Sequence, residues 1–359
     1  MREAEAVEIV ERTPLEGLGD LSTDVVYTHV DYLGRELPGP VDLYRRWERQ
    51  QWSATDIDFT VDRQQWRSLH ERLREQMQRT FVGFFYGEQA VTDTLSPLVH
   101  AAPDEDNRLF LSTQLVDEAR HSYFFARFFG EALGVAGGLR EALAHAAAEA
   151  RQFGGGYGRI FEPQQGELVT LTEAVRARPD DYGLWVQSIA IYHLMIEAVL
   201  ALPGQRRLLR LTRMNDLLPG FRAGFTAVTR DESRHVSYGV WALREAVRAG
   251  LEGEIRTVVD RTLPYCVGVG GNPVVKLPRP RDVPPMMRLD PREQWSFVVD
   301  SITKRLRTAA MSPGYVAEID RRAWDLIRSG VKRYEELHAE EHPVRAWERG
   351  EVTTAAAAS

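Results

Sequence analysis

Two near-copies of one pentapeptide, Asp117-Glu-Ala-Arg-His121 and Asp231-Glu-Ser-Arg-His235, bring reactive side chains into strongly apolar stretches of the sequence. In each copy a Glu precedes a His by three residues: Glu118 with His121, and Glu232 with His235. Residues i and i+3 share one face of an α-helix, so each copy aims a carboxylate and an imidazole the same way. Charged groups are seldom buried unless something pairs with them. A metal ion is the natural partner here.

The best-known metal site of a helical bundle takes one Glu from each of two helices and a Glu-x-x-His from each of the other two. Glu88, in an aromatic-rich helical stretch, and Glu197, in the most hydrophobic stretch, precede the two paired Glu residues by 30 and 35 positions. Each gap has room for a helix, a turn and half of the next helix. The order Glu88, Glu118-x-x-His121, Glu197, Glu232-x-x-His235 therefore reads as a duplicated helix pair that folds into a pseudo-twofold bundle. Four carboxylates carry roughly −4 charge, which two divalent ions would neutralise. Oxygen-rich coordination without thiolate suits iron or manganese better than structural zinc. Six protein groups cannot saturate two ions, which leaves positions for dioxygen or substrate. Asp117 and Asp231 are candidates to accept from the second ring nitrogen of the histidines.

A single Glu-x-x-His on a helix is more often a solvated pair or a satisfied core histidine. The joint pattern carries the reading. His193, four residues before Glu197 on the same face, is either a group behind the ligands or an ordinary core histidine.

The elements that must position these residues are helical. Apolar periodicity predicts helices over residues 41–51, 63–98, 108–133, 139–151, 168–177, 184–202, 221–248, 292–310 and 316–340. No stretch reads as a run of strands, so the fold class is all-α. Residues 1–40, with Gly17, Gly19, Gly34, Pro38, Gly39 and Pro40, are expected to form an irregular lead-in. Residues 41–312 are expected to form the metal-binding domain, and 313–359 a helical extension with a disordered tail. Gly154–Gly158 is expected to be a flexible joint.

Hydrophobic residues make up 43% and charged residues 27% of the 359, which allows a sizeable core. A net charge of −7 and the lack of a Lys/Arg block argue against nucleic acid as a partner. Cys266 stands alone, so no internal disulfide forms, as suits a reducing compartment. The first residues are acidic and lack the apolar stretch of a signal peptide. Residues 183–202 approach the length of a membrane span but contain Gln187, His193 and Glu197. A cytoplasmic protein with no membrane span is expected.

The sequence resembles the ribonucleotide reductase small-subunit superfamily, and within it looks most like the ligand-binding oxidases related to those small subunits. The resemblance spans roughly residues 42–310. It is carried by Trp52-Ser-Ala-Thr-Asp-Ile-Asp-Phe59, Gly87-Glu-Gln-Ala-Val91, Tyr192-His-Leu-Met-Ile-Glu197 and the two pentapeptides. It implies a ferritin-like four-helix bundle core with additional helices, and a Mn/Fe or Fe/Fe pair on the six residues. It also implies activation of dioxygen for oxidation of a hydrophobic, fatty-acid-like ligand. The aromatic faces at Phe81, Phe84, Phe85, Phe124 and Phe125 are compatible with such a ligand, though such faces are more often plain core.

Radical-storing reductase subunits typically carry a tyrosine four residues after the first ligand His. Phe125 stands there, so no tyrosyl radical forms at that place. Subunits with a manganese/iron pair share that Phe. The oxidases form an ether link between a Tyr five before the third-helix Glu and a Val three after the first-helix Glu. Tyr192 and Val91 occupy those positions, which an ordinary buried Tyr and Val would also fill. Trp52, Asp231 and His121 match the internal electron-transfer chain of the superfamily, although Trp52 also reads as a plain aromatic anchor. The last tyrosine, Tyr334, lies in an expected helix, unlike the flexible docking tail of reductase subunits. A homodimer is expected, and the electron donor is not indicated. The segment between His121 and Glu197 is longer than in the oxidases, and residues after 312 have no clear counterpart. The resemblance therefore says more about the metals than about the substrate. Its rivals are a reductase small (beta) subunit making a radical for a large subunit, a biosynthetic amine N-oxygenase or desaturase, and a non-enzymatic iron store.

Overall fold

The computed structural model describes residues 2–135, 137–153, 155–269, 276–277, 279–283 and 288–353. Among them there are helices, turns and connections, and no strand. The chain runs through α1 (Glu3–Arg12), α2 (Thr23–Glu36), α3 (Pro40–Arg49), α4 (Thr60–Ser68), α5 (Glu71–Thr94) and α6 (Glu105–Phe128). It continues through α7 (Leu139–Ala150), α8 (Gly155–Phe161), α9 (Glu167–Ala177) and α10 (Tyr182–Met214). Then come α11 (Pro219–Arg248), α12 (Glu252–Val269), α13 (Pro291–Thr308) and α14 (Pro313–His338), followed by a short helical turn at Val344–Glu348.

Four of these helices form the central bundle. α5 packs along α6, α10 packs along α11, and α6 faces α11. Local chemistry sets their ends. Asp104 caps α6 by accepting from the Asn107 amide at 2.9 Å, which satisfies one of the orphan donors of the first turn. The start of α11 is capped from outside. The Asp62 carboxylate of α4 accepts from the amides of Gly220 at 2.9 Å and Phe221 at 2.7 Å, where the helix dipole favours negative charge. α10 is wound as a π-helix over Ala190–Ala201 and then runs on through Pro203. In a regular α-helix that ring would press on the carbonyl four residues back, and the wider turns before it give room. The helix expected to end at residue 202 therefore continues to Met214. It is long and apolar enough to cross a membrane, yet 78% of its most apolar window is buried within the protein.

Close approach of the helices depends on two glycines. A Cβ on Gly239 of α11 would lie 2.1 Å from His193 Cβ of α10, and one on Gly224 would lie 2.3 Å from the Phe124 ring of α6. One end of the bundle is then filled by aromatic rings. Phe221 has its centroid 4.8 Å from Phe81, Phe128 and Phe225 alike. Rings of this size dominate core energetics, and truncating one to Ala costs about 3–5 kcal/mol.

Three expectations need correction. The lead-in is helical, not irregular: Val7 and Val10 in α1, and Val26, Val30 and Leu33 in α2, repeat every three or four residues and are buried. That short-range period outweighs the scattered glycines, and Gly34 is accommodated inside α2. The expected helix over 63–98 is two helices, because Leu69 adopts an extended conformation between α4 and α5. The expected flexible joint at Gly154–Gly158 opens a helix from Gly155, docked on α12, while Gly154 lies outside the described residues. Residues 354–359 of the expected disordered tail also lie outside them. α14 packs on α12 and α13.

Candidate metal centre

α5, α6, α10 and α11 each bring their acidic residue to one buried point. Glu88, Glu118, Glu197 and Glu232 are 6%, 1%, 4% and 4% exposed, and His121 and His235 are fully buried. One ligand atom each from Glu88, Glu118, His121 and Glu232 fall within 4.8 Å of one another, as do atoms from Glu118, Glu197 and His235. The arrangement has a pseudo-twofold pattern. His121 Nδ1 lies 3.2 Å from Glu88, 3.6 Å from Glu118 and 3.5 Å from Glu232. His235 Nδ1 lies 3.6 Å from Glu197, 3.3 Å from Glu118 and 3.5 Å from Glu232. The two glutamates of the pentapeptides thus reach both histidines, whereas Glu88 and Glu197 each serve one.

The donor set fits two cations. Glu118 Oε2, Glu197 Oε2, Glu232 Oε2 and His235 Nδ1 are buried with no hydrogen-bond partner among the described residues, a costly state without a counter-charge. Burial pushes the Glu88 carboxyl up to about 8 against the pull of His121, and burial likewise raises Glu197 and Glu232. Burial also opposes ionisation of Glu118, but the neighbouring His121 and His235 imidazoles, when charged, overcome it and hold that carboxyl low. Metal ions would take the place of the protons that such crowded carboxylates otherwise need.

Behind the imidazoles the polar groups cross over. His121 Nε2 donates to Asp231 of the other pentapeptide at 3.2 Å, and His235 Nε2 donates to Asp117 at 3.2 Å. Each aspartate also accepts from an indole: Asp231 from Trp52 at 2.8 Å and Asp117 from Trp47 at 2.9 Å. Arg234 reaches both, with 2.9 Å to Asp117 and 2.7 Å to Asp231, and Arg120 approaches both at 3.2 and 3.6 Å. Burial disfavours the Asp231 charge, yet Arg234, His121 and Arg120 hold its carboxyl well below the usual range. Carboxylates placed this way fix each histidine with Nε2 protonated, so that Nδ1 faces the centre.

Sequence reasoning singled out the aspartates but passed over Trp47, Arg120, Arg234 and Gln114. The arginines had a signal, since both pentapeptides carry Arg at the fourth position. Gln114 had a weaker one, four residues before Glu118 on the same face. It donates to Glu197 at 2.9 Å and accepts from His193 Nε2 at 2.9 Å, so His193 sits one group behind the carboxylates. Burial drives the His193 imidazole down to about 3, which keeps it neutral. Tyr192 is buried and donates to Glu118 Oε1 at 2.9 Å, and burial with the nearby carboxylates raises its phenol well above 10. Phe125 lies against Phe85, with centroids 5.9 Å apart.

A cavity of ≈ 340 Å³ opens on the carboxylate side. Glu88, Glu118, Glu197 and Glu232 reach it, Val91 lines it beside Glu88, and Phe84, Phe153, Tyr157, Phe161, Ile196 and Leu200 make its apolar walls.

The sequence model of the family "Ribonucleotide reductase, small chain" matches residues 35–134. Solved structures of R2-like ligand-binding oxidase variants superpose on the chain. One with an anaerobically reconstituted Mn/Fe cofactor gives a TM-score of 0.63 at 22% identity, covering 76% of this chain and 93% of that one. Two more, with an aerobically reconstituted Mn/Fe cofactor and with a non-activated Mn/Mn cofactor, each give 0.62 at 21% identity over the same shares. The fold is ferritin-like. At this identity the likeness speaks for architecture: a four-helix bundle with additional helices, carrying a buried carboxylate and histidine cluster able to hold two metals.

Proposed function

We propose that the chain is a dioxygen-dependent di-metal oxidoreductase acting on a hydrophobic, long-chain substrate, with Mn/Fe or Fe/Fe held by Glu88, Glu118, His121, Glu197, Glu232 and His235. One observation carries this reading: a buried cluster of four carboxylates and two imidazoles has an apolar cavity on its carboxylate side. The Mn/Fe cofactors of the similar oxidases support it. Two bound ions would supply redox equivalents and open coordination positions for dioxygen.

The chain's own residues supply the rest. Asp117 and Asp231 hold the histidine tautomers, the aromatic walls exclude water, and Trp52, Asp231 and His121 form a hydrogen-bonded path along which electrons can enter. Tyr192 and Val91 flank the carboxylates from α10 and α5. An ether link between them would form one C–O bond and break the Tyr192 O–H and one Val91 C–H bond. Dioxygen would take up the two electrons and two protons released. Phe125 sits where a radical-storing reductase subunit would carry its tyrosine, which argues against a stored tyrosyl radical, and the Tyr192 and Val91 pair favours the oxidase reading over the reductase one.

The test is to load metal-free protein anaerobically with iron, or with iron and manganese, and then admit air. Two metals per chain, dioxygen uptake and a Val91–Tyr192 peptide lighter by two hydrogens are expected. An unlinked pair after complete metal oxidation overturns the link, and absence of dioxygen uptake overturns the oxidase.

A further inference from the structure

The two halves of the metal centre differ in what stands one turn before each glutamate. Four residues before Glu118 on α6 is Gln114, and four before Glu232 on α11 is Val228, both fully buried. Four and five residues before Glu197 on α10 are His193 and Tyr192, while the matching positions before Glu88 on α5 are Phe84 and Gly83. At these positions the half built on Glu197 and His235 carries polar groups, and the half built on Glu88 and His121 carries none.

Gln114 divides the oxygens of two ligands. Its Nε2 donates to Glu197 Oε1 at 2.9 Å and to Glu118 Oε1 at 3.4 Å, and the latter oxygen also accepts from Tyr192 at 2.9 Å. Oε2 of each of these glutamates is buried without a hydrogen-bond partner among the described residues. One oxygen of each is thus tied back, and the other is left for an ion. The amide can face only one way. Its NH2 must meet the two carboxylates, so its carbonyl accepts from His193 Nε2, 2.9 Å away. α11 confines His193 in turn, since a Cβ on Gly239 would lie 2.7 Å from its Cγ. Glu88 has no such support. Among the described residues its carboxylate meets only His121 Nδ1, at 3.2 Å, the atom that faces the centre.

We propose that Gln114 makes the two metal positions unequal, so that the one served by Glu118, Glu197 and His235 takes the first ion and the one served by Glu88 and His121 takes the second. This rests on the di-metal reading above and adds an order of filling to it. A carboxylate already turned toward an ion loses less freedom on binding than one that the ion must capture. Glu118 and Glu232 reach both histidines and so do not separate the positions. Glu197, fixed through Gln114 and His193, and Glu88, fixed by neither, do separate them. Gln114 is a positioning residue, because it acts on the ions through the two glutamates.

Mn(II) alone is the probe, added without air to the metal-free full chain while the free ion is followed by its electron paramagnetic resonance lines. The parent should bind two ions in two steps. Adjacent cations repel, so two steps would appear even at equal positions, and the effect of a substitution on each step is what decides. Gln114→Met should weaken the first step about tenfold or more and leave the second unchanged. Weakening of the second step alone, or of neither, overturns the inference. So does equal weakening of both, which a loosened core would give. His121→Ala should keep one ion at the parent's first-step affinity, and His235→Ala should lose that step. The reverse pattern puts the first ion on the Glu88 side and overturns the order. A parent that binds fewer than two ions defeats the di-metal reading itself, whereas a parent that binds two and fails the Gln114 test defeats the order alone.

Discussion

Behind the imidazoles of His121 and His235, every carboxylate oxygen of Asp117 and Asp231 meets a donor from Trp47, Trp52, Arg120, Arg234 or a histidine. In front of the glutamates, three carboxylate oxygens meet none, and an apolar cavity begins. The carboxylates of both sides come from the same four helices and are all buried. A closed polar network resists rearrangement, because breaking any one member leaves a buried charge unpaired. Orphaned oxygens beside open space are the reverse, a site arranged to accept something. On the proposed function the rear side positions and the front side reacts.

That contrast can be broken at several points. The largest effect is expected from Glu118→Ala on the front side. Glu118 reaches both histidines, so metal content measured by mass spectrometry should fall from two ions per chain to one or none. Retention of two ions would mean that Glu118 does not bridge.

Next comes the rear network. Arg234→Met strands Asp117 and Asp231 and should cost about 3–5 kcal/mol in a denaturant titration. Leu200→Ala, beside a cavity that already exists, should sit near the low end for such truncations, about 2 kcal/mol. Equal costs would erase the distinction between the two sides.

A smaller effect separates the two indoles. Trp47→Phe and Trp52→Phe each remove one hydrogen bond to an aspartate, worth about 1 kcal/mol of stability. Slower chemical reduction of the metal pair, followed by stopped-flow absorbance, is expected for Trp52→Phe. An equal slowing in Trp47→Phe would show that both halves of the pseudo-twofold conduct.

A further effect, seen only on acidification, lies farther back, at His29. Burial, with Arg230 and Arg234 nearby, lowers its imidazole from 6.5 to about 3. The unfolded chain takes up this proton below pH 6.5 while the folded chain resists it until about 3, so stability falls as pH falls through that window. His29→Gln should flatten this part of the stability profile. An unchanged slope would show that other groups dominate it.

Much of this was legible in the residues alone. Glu118 with His121 and Glu232 with His235 needed only the pitch of a helix, because three residues bring two side chains to one face. Glu88 and Glu197 needed only the duplicated order and the apolar faces around them. The helices of the lead-in were missed because scattered glycines hid a short apolar period. The π-wound course of α10 was missed because an apolar run does not reveal its own winding.

Other features follow from helix meeting helix. Asp117 serves His235, and Asp231 serves His121, because α6 and α11 face each other at the centre. Trp47 and Trp52 come from the start of the chain to cover residues that lie 70 and 179 positions away. Gly83 and Gly87 of α5 line the cavity opposite Gly204 of α10, and a Cβ on Gly87 would meet nothing nearer than 3.9 Å. Spacing along one helix is a local property, which the sequence by itself determines. Which residues meet across the bundle, and where space is left between them, depends on how four helices pack, and only the tertiary structure decided that.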